Sequence, residues 1–364
     1  MEYTETKILK FARAAYDVAK KSSIKPYSNK YSKKTFTQHQ HVAILAIKHK
    51  KKLKYRELEE FLMESPRICE ELELREFPDF STSCKQFAKF ERKVLIILIY
   101  LSACLLPRSG RGGIDATCFD RRHNSKHYVK RCKLTIQSMK ITFLIDLKHL
   151  TILAVHVTAS RKHDTQIAIP LVKQYEKEFE EFLESLCGDK GYDWAKIREF
   201  LKKRRTRALI PYREFRRKHE YWNSLFNEDD LHQRSKCETV NSMTKRNYGD
   251  ALTAKGFHNQ FKEVLFIAVV HNIDRSLALF IWRISTKPSY TNGAWLDRVN
   301  TSPGSNSGCP SYHSERLPAL GRVRFLGVHI YLPATGSPRG GFPGAEVTRA
   351  STSPLSVSRA KGSL

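Results

Sequence analysis

The sequence predicts an α/β fold, a mixed sheet flanked by helices, entered through an all-helical region and followed by a disordered tail. Three observations predict it. Apolar residues at helical spacing fill the first hundred positions. After Pro107 and the run Arg108-Ser109-Gly110-Arg111-Gly112-Gly113, short β-branched stretches alternate with helical ones. Residues 285–364 hold ten of the 17 glycines and eight of the 14 prolines with little apolar periodicity. The expected divisions are therefore 1–106, 107–284 and 285–364.

In the helical region, 1–34 carry a weak pattern (Ile8, Phe11, Ala14, Ala15, Val18) and read as a loosely attached arm. Thr37 caps a stronger helix with Val42, Ile44, Leu45 and Ile47, and a second follows the lysine-rich 48–54 with Tyr55, Leu58, Phe61 and Leu62. Pro66 breaks that run. A short helix over 68–74 and one from Ser83 into the apolar 94–106 complete the region.

Strands are expected at 113–119 and, as a hairpin, at 141–147 and 151–158. Asp164 or Thr165 caps a long amphipathic helix, with Asp164 left as the N-cap. A strand at 183–187, a helix at 193–201, a strand at 207–210, a helix at 234–249 and a buried helix at 257–282 follow. This order of elements is that of a ribonuclease-H-like fold, in which the first and fourth strands lie side by side.

Composition narrows the partner. The 364 residues carry 64 Lys and Arg against 37 Asp and Glu, a formal charge of +27, and such an excess selects a polyanion, nucleic acid first. The basic clusters at 121–133 and 202–218 flank the first and fifth strands, and the lysines at 48–54 suit a DNA backbone as well as they suit a solvated linker. No uninterrupted apolar run is long enough to cross a bilayer, so no membrane partner is expected. The eight cysteines lack metal-finger spacing, and the opening residues lack an apolar signal core, which together place the chain in the cytoplasm, with the nucleoid.

Three acids stand at the ends of this predicted sheet: Asp115 in an apolar, glycine-led strand, Asp189 in Cys187-Gly188-Asp189-Lys190-Gly191, and Glu238 on the helix 234–249. On that helix Arg234, Glu238 and Lys245 fall within an arc of about 40°, so a carboxylate and two cations share one face. Taken singly, Asp189 serves equally as a turn acid and Glu238 as a solvated helix residue. Asp146 on the hairpin is the chief rival ligand. Tyr192 and Trp194 read as core before base-stacking residues. His123, His127, His156 and His163 make no metal set by spacing.

The motifs GIDATCF, CGDKGYD and RSKCETVNSMTKRNYG resemble those of the DDE transposases of prokaryotic insertion sequences, in the superfamily of groups four and five. RKHDTQ at 161–166 is similar as well, and the resemblance runs over about 36–282. The last motif fits the signature Y-x(2)-R-x(3)-E-x(6)-K at Arg234, Glu238 and Lys245, with Leu231 where the tyrosine stands. The resemblance implies that Asp115, Asp189 and Glu238 are catalytic and bind two Mg²⁺ or Mn²⁺ ions, and that Arg234 and Lys245 bind DNA phosphates. It further implies cleavage at element ends, joining of the freed 3′ ends to target DNA, and a homodimer on the two ends. A copy that binds ends without cutting and a cellular nuclease of the same fold are the rival readings.

Overall fold

The computed structural model describes residues 5–121, 138–159, 162–214 and 217–285. The helical region contains α1 (Lys7–Lys21), α2 (Gln38–Lys51), α3 (Tyr55–Met63), α4 (Pro66–Glu71), α5 (Phe80–Lys89) and α6 (Arg92–Ala103). Thr37 does cap α2: its side chain accepts from Gln40 N, and Gln40 Oε1 accepts from Thr37 N at 2.7 Å, so two otherwise unpaired donors are met reciprocally. The helix expected from Ser83 onward is interrupted at Phe90, whose ψ of 131° is extended.

The first helix corrects the expectation of a loose arm. Leu9, Phe11, Ala12, Ala15 and Val18 of α1 are buried, and α1 packs against α2, α4 and α6. Its alanines permit close helix approach, and Arg13 ties it to α4 by a 2.6 Å pair with Glu71. Nor are the lysines at 48–54 a plain linker. Lys48 is buried with Nζ 4.8 Å from the Tyr55 ring centre, and Lys50 pairs with Asp274 at 2.6 Å.

The sheet is built from β1 (Arg111–Arg121), β2 (Ser138–Asp146), β3 (Ile152–Thr158), β4 (Ser185–Cys187), β5 (Arg207–Leu209) and β6 (Ala251–Leu252), in the order β3-β2-β1-β4-β5 with β6 also on β1. β1 runs antiparallel to β2 and parallel to β4 and β6. Around it lie α7 (Asp164–Phe179), α8 (Ala195–Lys203), α9 (Arg217–Ser224), α10 (Glu228–His232), α11 (Ser235–Tyr248) and α12 (Phe257–Ser285). This is the ribonuclease-H-like mixed sheet, with β1 central.

Strand alternation sorts the core into two layers. Ile114, Leu144 and Leu153 pack with Leu171, Tyr175 and Leu201 of α7 and α8. Phe119, Ile141, Phe143 and Ile145 join the apolar cluster that also holds residues of α1, α2, α6 and α12. Because Ile114 faces the first layer, Gly113 and Asp115 on either side of it face the other way.

Two expected roles change. His163, not Asp164, caps α7 by accepting from Thr165 N, while Asp164 pairs with Lys140 at 2.7 Å. Asp146 is 1% exposed and accepts from Ser109 N, Ser109 Oγ, Lys148 N and His149 N at 2.7–2.9 Å. Its oxygens are spent on closing the hairpin turn, so it is a structural carboxylate and no open ligand. Residues 122–133 of the first basic cluster with His123 and His127, Arg161 of RKHDTQ, 215–216 and the tail from 286 lie outside the described residues.

Candidate active site

Asp115 comes to lie beside α11 because β1 and α11 run side by side. Successive same-face residues on a strand rise by about 6.8 Å, and residues four apart on a helix by about 6 Å. A Cβ at Gly113 would lie 2.6 Å from Cys237 Sγ. One step along, Asn241 Nδ2 donates to Asp115 Oδ2 at 2.8 Å. Further on, Lys245 Nζ stands 5.9 Å from the Phe119 ring centre. Only glycine at 113 lets the helix come this close, and that approach places α11 beside the first carboxylate.

Asp189 arrives through strand register. Gly113 of β1 pairs with Cys187 of β4, and Asp115 and Asp189 each follow that pair by two residues. Asp189 opens a single 3₁₀ turn, Lys190–Tyr192, its Oδ1 accepting from Gly191 N. Arg213 braces the same turn: Nε donates to Lys190 O at 2.9 Å and Nη2 to Gly191 O at 3.0 Å. The turn role expected of Asp189 is therefore present, and Oδ2 takes no part in that hydrogen bond.

Glu238 lies in the first turn of α11, where the helix dipole favours a negative charge. It is exposed and accepts from Arg234 Nη2 at 3.2 Å. Lys245 lines an open groove with Lys52, Asn241, Ser242 and Arg246, in which Lys52 Nζ donates to Arg246 O at 2.9 Å. Arg234, Glu238, Asn241 and Lys245 thus form one polar stripe.

Burial, and then the charges of Asp189 and Glu238, hold the Asp115 carboxyl above the usual carboxylate range, against a hydrogen bond from Ala116 and the charge of Arg234. Asp115 therefore lies within electrostatic reach of both other acids. Among the described residues, no three His, Cys, Asp or Glu side chains are arranged to hold one metal ion as they stand. Each carboxylate is turned to a protein donor instead: Asp115 to Asn241, Asp189 to Gly191 and Glu238 to Arg234. As a donor type, carboxylate oxygens suit a hard divalent cation, and Asp115 has two further carboxylates in electrostatic reach.

Asn241 and Arg213 were not singled out from the sequence. Asn241 had a signal, since it lies three residues past Glu238 on the face already chosen. Arg213 had none, because its role depends on a loop passing the Asp189 turn. Tyr192 is buried, as core packing requires, and Trp194 is exposed. Leu231, in α10, offers no hydroxyl.

A central strand paired antiparallel on one side and parallel on the other, with a helix laid along it, defines a ribonuclease-H-like sheet domain. Residues 110–273 match the family described as the transposase DDE domain. Over those residues, the sheet domain from β1 into α12, the chain is similar to a transposase DDE domain. Among solved structures, it is similar to a piggyBac transposase in a synaptic complex with hairpin DNA, with 10% identity and a TM-score of 0.42 over 78% of this chain and 74% of that one. No curated protein matches the chain. Among the described residues no helix is long and apolar enough to cross a membrane.

Proposed function

We propose that this transposase cuts phosphodiester bonds at the ends of its own insertion element and joins the freed 3′ ends to target DNA, with Asp115, Asp189 and Glu238 as the catalytic acids. The observation that carries this reading is the stepwise contact of β1 with α11, which sets Asp115 against Asn241 and within reach of the charges of Asp189 and Glu238. The three carboxylates would hold the divalent ions. Two Mg²⁺ or Mn²⁺ ions, when bound, would relieve charge on the scissile phosphate and make the attacking hydroxyl more acidic.

The chain's own side chains do the rest. Asn241 fixes one Asp115 oxygen and leaves the other available. Arg234 binds a flanking phosphate through its planar fork, releasing Glu238 as it does so, and Lys245 meets the next phosphate as a point charge. Lys52 and Arg246 extend that cationic track along the groove toward the helical region, the direction in which we place the DNA. Two ends must be held together for joining, so the working unit is a homodimer on DNA, in the cytoplasm with the nucleoid.

A second reading rests on Leu231: without a hydroxyl there, the protein binds element ends but does not cut them. One assay separates the two. The full chain is incubated with Mn²⁺ and a duplex made from the DNA flanking its own gene, and nicking and strand joining are followed, with Glu238→Ala alongside. Nicking by the wild type alone supports the first reading. Binding without nicking selects the second, and cleavage that survives Glu238→Ala removes Glu238 from the site.

A further inference from the structure

Asp193 stands just ahead of α8, where an aspartate ordinarily caps a helix, yet the N-cap of α8 is Trp194, with no side-chain cap. The oxygens of Asp193 go elsewhere. Oδ1 accepts from Arg198 Nε at 3.0 Å and Nη2 at 2.8 Å, and Oδ2 accepts from the backbone N of Arg213 at 2.9 Å. Arg198 is shared in turn: Nη2 also donates to Ile210 O at 2.7 Å, and Cζ lies 3.5 Å from the Tyr212 ring centre. The Asp193 and Arg198 side chains are only 16% and 17% exposed, and an ion pair so far from water holds only when its hydrogen bonds are met, as they are here. One carboxylate thereby ties the segment 210–213, which leaves β5, to the start of α8.

Arg213 answers from the other side. Its Nε and Nη2 reach back to Lys190 O and Gly191 O, both in the single 3₁₀ turn that Asp189 opens. That turn has two backbone hydrogen bonds of its own, Tyr192 N to Asp189 O at 3.0 Å and Asp193 N to Lys190 O at 3.2 Å, and so short a turn is weakly fixed by itself. The guanidinium doubles the number. It also grips the residue that aims the acid, because Gly191 donates its N–H to Asp189 Oδ1 and gives its own O to Arg213. The circuit closes: Asp193 holds the backbone of Arg213, and the side chain of Arg213 holds the turn that leads into Asp193.

We propose that Arg213 and Asp193 are positioning residues for Asp189, locking its turn so that Oδ2, which takes no part in the turn, is held ready for a divalent cation. They act through Asp189 and are not ligands themselves. The inference rests on the reading of Asp189 as a metal-holding acid. It also needs an arginine, since a planar fork meets two carbonyls at once and an ammonium does not.

Mn²⁺ binding by the full chain without DNA, read from the disappearance of the free-ion electron paramagnetic resonance signal, tests this, with thermal midpoints in chelator taken alongside. Arg213→Ala is expected to weaken Mn²⁺ about tenfold while the midpoint in chelator moves little. Arg213→Lys keeps the charge but cannot bridge both carbonyls, and is expected to fall between Arg213→Ala and the wild type. Asp193→Asn sets an amide N–H against the donors of Arg198 and Arg213 and is expected to weaken Mn²⁺ as Arg213→Ala does; should it fail to fold, the Arg213 variants carry the test. The sharpest arm places Arg213→Ala in an Asp189→Asn background. Acting through Asp189, it is expected to cost no further Mn²⁺ affinity there. Wild-type Mn²⁺ binding by Arg213→Ala, or a second full loss in the Asp189→Asn background, would overturn the proposal while leaving Asp189 as a ligand. Unchanged Mn²⁺ binding by Asp189→Asn alone would overturn the reading of Asp189, and this proposal with it.

Discussion

Asn241 and Asp115 lie 126 residues apart in the chain, yet the amide of one donates to the carboxylate of the other at 2.8 Å. That bond crosses from α11 to β1 and fixes which Asp115 oxygen is turned toward the helix. A hydrogen bond of this kind, made to a carboxylate that holds a cation, orients the ligand.

Removing the amide should loosen the site without dismantling it. Asn241→Ala is expected to raise the Mn²⁺ concentration needed for half-maximal cleavage, by about 10–100-fold, with the thermal midpoint nearly unchanged. Metal titrations of cleavage check this; an unchanged metal requirement would show that the bond has no part in holding the carboxylate.

Asp115 itself should trade stability against activity. Its carboxyl is raised above the ordinary range by burial and by Asp189 and Glu238, so between the unfolded and folded pKa values the native state binds more protons than the unfolded chain. Stability of the metal-free protein due to this group therefore falls as pH rises through that window. Asp115→Asn is expected to raise the metal-free melting temperature at neutral pH and to abolish cleavage. Melting curves with a chelator, set beside the nicking assay, measure both.

Gly113 should tolerate no side chain. A Cβ there would come within 2.6 Å of both Cys237 Sγ and Leu147 Cδ2, forcing α11 away from β1. Gly113→Ala is expected to lose about 1–3 kcal/mol of stability and to lose cleavage beyond what the stability change explains. Denaturant unfolding and cleavage at a temperature where the variant remains folded separate the two effects.

Buried histidines should make the protein acid-labile. Burial holds His41 and His271 down to about 4 and pushes His49 well below its ordinary value. Between pH 4 and 6.5 the unfolded chain then binds more protons than the native one, so these groups contribute stability above pH 6.5 that is lost as pH falls to 4. Urea midpoints measured across that range should drop steadily toward acid, and less so in His41→Gln.

The sheet domain was legible because its strands and helices carry dense apolar periodicity and turn residues at their ends. The three acids proposed for the site stand out in the sequence through the motifs around them, and Glu238 through its helical spacing from Arg234 and Lys245. Other parts were less legible. α1 has a clear apolar face, but the helices that cover it, α2, α4 and α6, are set by tertiary packing. α9 and α10 bury no side chain at all, so the period that marks a helix is missing, and β6 is two residues long. The brace from Arg213 and the sealing of Asp146 depend on loops meeting in space, which no local pattern encodes.

β6 begins two residues past Gly249, whose φ of 103° turns the chain out of α11, and Ala251 pairs with Asp120 near the far end of β1. With Cys237 seated over Gly113 at the other end, the helix bearing Glu238 is moored to the central strand at both extremities. Its position does not depend on the segment that delivers the chain to it. The stretch between β5 and α11 can therefore lengthen beyond Arg213 and before Arg234 without moving the helix on the strand.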